Sequence, residues 1–81
     1  MGPHLSTCWI VGYTGDNPIL AIKEIRPFIL KNSLSEARAV YHRVVAGEQV
    51  SLGVVAPLDA TRMAVEGLVL EWRPDYSSGE V

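Results

Sequence analysis

The reactive and charged side chains of this chain fall into no catalytic set. Cys8 is the single cysteine, and with His4 and His42 it makes no zinc-ligand spacing. Ser, His and Asp all occur, but nothing in their order brings a nucleophile, a base and an orienting acid together. Gly12 and Gly15 are isolated and no Gly-Lys-Ser/Thr follows, so there is no phosphate-cradling loop. Glu66 and Glu71 are separated by a helix end and a strand rather than paired. What remains is charge suited to recognition. Residues 23–43 carry Lys23, Arg26, Lys31, Arg38 and Arg43 against Glu24 and Glu36, a balance of +3. Residues 44–81 carry Arg62 and Arg73 against Glu48, Asp59, Glu66, Glu71, Asp75 and Glu80, a balance of −4. Asp16 completes a net charge of −2, which gives no general reason to bind nucleic acid.

These groups must be positioned by a small scaffold. A chain of 81 residues is one domain with a modest core. With 48% hydrophobic residues it is too apolar for disorder. No apolar run approaches the roughly 20 residues of a membrane span. No basic region precedes a long apolar segment at the start, and a lone cysteine builds no disulfide framework. The expectation is a cytoplasmic protein, off the membrane, with no cofactor and no metal.

Residues 1–6 read as a loose lead-in, 7–74 as one compact domain and 75–81 as a tail. Thr7–Tyr13, rich in β-branched and aromatic types, reads as a strand broken by Thr14, Gly15 and Asp16. Asn17-Pro18 is a helix start, with Asn as cap and Pro where an N–H is dispensable. Ile19, Ile22, Ile25 or Arg26, and Ile29 follow at helical spacing, and Pro27 demands a kink or an early end. Ser33 and Glu36 form a capping-box pattern for a second helix. Its apolar face is Leu34, Ala37, Val40 or Tyr41, and Val44, and Gly47 closes it. Gln49–Val55 reads as a strand with a weak point or bulge at Gly53. Pro57 opens a short helix that Gly67 closes, with Leu58 or Ala60, Met63, Ala64 and Val65 as its buried side. Leu68–Arg73 is a third strand that Pro74 ends. The order β-α-α-β-α-β predicts a two-layer α/β (α+β) sandwich, a three-stranded sheet covered on one face by helices. The helical connections allow parallel neighbouring strands, and the wet face could carry Trp9, Tyr13 or Trp72.

The run Ile22-Lys23-Glu24-Ile25-Arg26 and the run Leu34-Ser35-Glu36-Ala37-Arg38, with Gly67-Leu68-Val69-Leu70-Glu71, resemble the C-terminal domain of the bacterial ribosomal stalk protein. The resemblance spans about residues 8–73, and Pro27 marks its clearest departure. In that family two helices form the contact surface for translational GTPases. The resemblance therefore implies a partner site at Ile19, Ile22, Lys23, Arg26 and Arg38, docking a protein without enzymatic activity. Lys23 and Arg26 lie three apart on one helix face and Arg38 near the start of the next, a basic patch with an apolar centre. A second resemblance is to the ClpS-type adaptor, through Gly53-Val54-Val55 and Asp59-Ala60-Thr61. It implies an adaptor or regulatory role, with Asp16-Asn17 and His42 as the only candidates for its substrate pocket. A third reading is single-strand nucleic-acid binding by Trp9, Tyr13 and Trp72.

Overall fold

The computed structural model describes residues 6–74; the expected tail, residues 75–81, and all but Ser6 of the lead-in lie outside them. The chain runs β1 (Ser6–Tyr13), α1 (Pro18–Ile25), α2 (Leu34–Val45), β2 (Val50–Val54), α3 (Thr61–Val65) and β3 (Leu68–Pro74). Two 3₁₀ turns, Arg26–Phe28 and Leu30–Asn32, link α1 to α2. The described residues form a compact α+β domain, with a three-stranded sheet and three helices in the order β-α-α-β-α-β.

The local signals work as chemistry requires. Asn17 Oδ1 accepts from the Leu20 N–H at 3.3 Å, with Pro18 in the first turn. Ser33 Oγ accepts from the Glu36 N–H at 3.2 Å, one half of the expected capping box; among the described residues no bond from the Ser33 N–H to the Glu36 carboxylate closes the other half, and the Ser33 hydroxyl lies 3.2 Å from that of Ser35. Pro27 ends α1 at Ile25, and the chain tightens into a 3₁₀ turn that the Ile29 N–H closes on the Arg26 carbonyl. Lys31 and Asn32 then take left-handed backbone conformations, with φ of 67° and 54°. Arg26 Nε donates to the Asn32 carbonyl at 2.9 Å and clasps this turn.

The sheet order is β2-β1-β3, and both neighbours of β1 are antiparallel to it. The expectation of parallel neighbours is thus corrected. Two helices between β1 and β2 reverse the chain an odd number of times, so β2 returns against β1. The α3 crossover does join strands of one direction, β2 and β3, but β1 lies between them. Two bulges adjust the register. One falls in β2 opposite Thr7 and Trp9, where Gly53 adopts φ +81° and its N–H is taken by Ser51 Oγ. The other falls in β1 between Ile10 and Gly12.

Cys8, Ile10, Val50 and Leu68 point into the helical layer and are buried there with Ala21, Ile22 and Ile25 of α1, Ala37 and Val44 of α2, and Ala60 and Met63. Val55 completes this core. The third helix starts four residues later than Pro57 suggests, after a turn over residues 57–60. Only Ala60 and Met63 of its expected buried side are buried; Leu58, Ala64 and Val65 are exposed. The wet face carries Trp9, with Arg73 stacked on its ring at 4.6 Å, and the Trp9 Nε1–H donates to Thr7 Oγ1. Tyr13 and Trp72 do not share that face. Both pack against the core, and Trp72 Nε1 donates to the Val55 carbonyl at 2.9 Å.

The β1–α1 junction is held by backbone contact. The Thr14 N–H donates to the Gly67 carbonyl at 2.7 Å. A Cβ on Gly67, whose φ is +97°, would stand 2.3 Å from Gly15 Cα. A Cβ on Gly15 would stand 2.3 Å from the Glu66 carbonyl oxygen. This close approach sets where α1 begins.

Candidate functional site

On α1, Ile19, Ile22 and Lys23 recur at helical spacing, and Arg26, the C-cap residue that keeps helical backbone angles, continues the same stripe. On α2, Leu34 and Arg38 are four apart and stack the same way. The two stripes face each other across the α1–α2 seam and line a cleft of about 300 Å³. All five residues implied by the sequence are therefore brought together, and Leu34 joins them. Sequence reasoning assigned Leu34 to the core. Its i, i+4 relation to Arg38 was the signal that pointed elsewhere, and the structure leaves it 43% exposed.

The cleft has an apolar floor and a cationic rim. Ile22 is nearly buried and belongs to both core and floor, whereas Ile19 is 72% exposed at the mouth. Burying that side chain against a partner would contribute about 1.5–2 kcal/mol. Lys23, Arg26 and Arg38 are exposed. Among the described residues they form no ion pair, while Arg43 is matched by Glu48 at 2.9 Å and Arg73 by Glu71 at 2.6 Å. Glu48 and Glu71 thus pair with Arg43 and Arg73, and no acid among the described residues pairs with the cleft cations. Arg26 is partly fixed, since its Nε holds the Asn32 carbonyl. Lys23 and Arg26 also lie at the carbonyl end of α1, where cations are favoured.

The other candidate groups are not assembled. Asn17 uses its side-chain oxygen as the α1 cap, Asp16 is exposed, and His42 is exposed on α2 with its ring edge-on to Tyr41 at 5.4 Å. Tyr41 in turn meets Tyr13 edge-on at 5.3 Å. The Tyr13 hydroxyl is enclosed without a hydrogen-bond partner among the described residues, and burial pushes its phenol above the ordinary value. Burial likewise pushes the Cys8 thiol up, which makes it less able to ionise. Because Tyr13 and Trp72 lie on the covered side, the three aromatics make no common stacking platform. Among the described residues no His, Cys, Asp and Glu cluster could hold a metal ion, and no helix is long and apolar enough to cross a membrane. No protein-family model, curated protein or solved structure matches the chain.

Proposed function

We propose that this domain is a non-enzymatic protein-interaction module whose α1–α2 cleft docks an acidic, partly apolar segment of a protein partner, as its resemblance to the stalk C-terminal domain suggests. The observation that carries this reading is the cleft itself. It pairs an apolar floor with three cations that no described acid neutralises. A volume near 300 Å³ suits one or two apolar side chains rather than an extended ligand. Ile19, Ile22 and Leu34 supply contact area. Lys23, Arg26 and Arg38 steer carboxylates to the rim, speed encounter and set the docking register. The resemblance makes a translational GTPase the first partner class to test.

The test compares wild-type protein with a Lys23→Glu/Arg26→Glu variant in capture from cell extract, followed by direct titration of each recovered partner. Circular dichroism establishes that the variant is folded. The expected loss is about 10- to 100-fold in affinity at moderate salt, shrinking as salt is raised. A folded variant that keeps every wild-type partner at unchanged affinity places the binding surface elsewhere. Recovery of a protease chaperone in place of translation factors would favour the adaptor reading.

A further inference from the structure

The two outer strands are not equivalent. The β2 edge is short, bulged at Gly53 and partly capped by Ser51. Such devices discourage pairing with another strand. By contrast, β3 runs Leu68–Pro74, and its two register partners on either side of the β1 bulge leave its own residues in an unbroken series. Among the described residues, β1 is the only segment whose backbone hydrogen-bonds to β3. Among the described residues nothing else pairs with its outer row of N–H and C=O groups, up to Pro74, which has no N–H to give.

We propose that the β3 edge pairs antiparallel with β3 of a second copy of this chain, joining two three-stranded sheets into one of six strands. Residues facing each other across such a pair must lie on the same side of the sheet, so only every second register is possible. Centring the pair on Glu71 sets two carboxylates opposite each other, which is unfavourable. Centring it on Trp72 sets Glu71 opposite the second copy's Arg73 twice over. The side chains suit that register. Arg73 uses Nε and Nη2 on Glu71 Oε1 and on Gln49, and Glu71 receives both bonds on Oε1 alone. Arg73 Nη1 and Glu71 Oε2 have no partner among the described residues; the guanidinium lies over Trp9 towards Gln49, so it must swing outward across β3 to engage the second copy's Glu71. Next to this edge α3 packs on β3 and leaves Val65 74% exposed. This inference is independent of the α1–α2 cleft.

Sedimentation of the full chain from micromolar to millimolar concentration tests the pairing, with circular dichroism on every variant. The expected result is a reversible monomer–dimer equilibrium. Arg73→Glu should weaken it about tenfold or more, and the double exchange Glu71→Arg/Arg73→Glu should restore it. Mixed Glu71→Cys and Arg73→Cys chains should cross-link on oxidation, while Glu71→Cys alone should not. A chain that stays monomeric to millimolar concentration leaves this edge to solvent or a foreign strand, and overturns the proposal. So does a dimer indifferent to these charges, or one that cross-links through Glu71→Cys alone.

Discussion

Replacing Gly67 by alanine tests the junction that positions α1, and the structure separates its cost into two parts. The first is backbone strain. Gly67 has φ +97°, and holding an L-residue in such a conformation costs about 1–2 kcal/mol. The second is steric, because the new Cβ would stand 2.3 Å from both Gly15 Cα and Gly15 N. Backbone cannot swing aside as a flexible side chain does, and such overpacking costs about 1–3 kcal/mol. The sum is about 2–5 kcal/mol. Two controls isolate the parts. Gly47 has φ +100° with nothing within 4 Å of a Cβ, so Gly47→Ala should show the strain alone. Gly15 has no such φ but would meet the Glu66 carbonyl at 2.3 Å, so Gly15→Ala should show the steric part alone. Urea denaturation followed by the fluorescence of Trp9 and Trp72 gives each loss. Against a total stability of about 4–12 kcal/mol for a domain of this size, Gly67→Ala should lower the midpoint temperature by about 20 °C. If Gly15→Ala is neutral and Gly67→Ala costs no more than Gly47→Ala, the close backbone approach is not what holds the junction. The cleft depends on this outcome, since α1 begins three residues after Gly15 and carries Ile19, Ile22, Lys23 and Arg26.

Lys31→Gly relieves a left-handed residue outside the cleft, so it should raise stability by up to about 1 kcal/mol in the same urea assay. Ile25→Ala opens a cavity at a fully buried position and should cost about 2–5 kcal/mol by calorimetry, with the helix content of the folded state retained. Cys8 is buried and its thiol is pushed up, so a disulfide reagent should react at the slow rate of unfolding and at the free-thiol rate only in denaturant. The raised Tyr13 phenol binds its proton more tightly folded than unfolded. Its contribution is present below the ordinary tyrosine range near 10 and is lost as pH rises through it. Denaturation midpoints should therefore fall across that range in wild type, and less steeply in Tyr13→Phe.

The sequence by itself determined the features whose causes are local. Asn17 and Ser33 each cap a helix by a bond to a backbone N–H three residues on, and that geometry needs no distant partner. Pro27 ended α1 because its ring and missing N–H act within one turn. The element order followed from these stops and from the strand-like runs. Tertiary structure decided what depends on distant segments. It set both neighbours of β1 antiparallel, and it put Tyr13 and Trp72 under the helices while Trp9 stayed outside. It left Leu34 and Ile19 at the surface, because α1 turns Ala21, Ile22 and Ile25 and α2 turns Ala37 and Val44 into the layer. Helical spacing alone names two or three possible inner faces, and packing selects one. The basic stripe on α1 was legible as a pattern. That it meets Leu34 and Arg38 across a cleft was not, because the loop between the helices is set by left-handed Lys31 and Asn32; asparagine tolerates that conformation, but nothing announces it for a lysine.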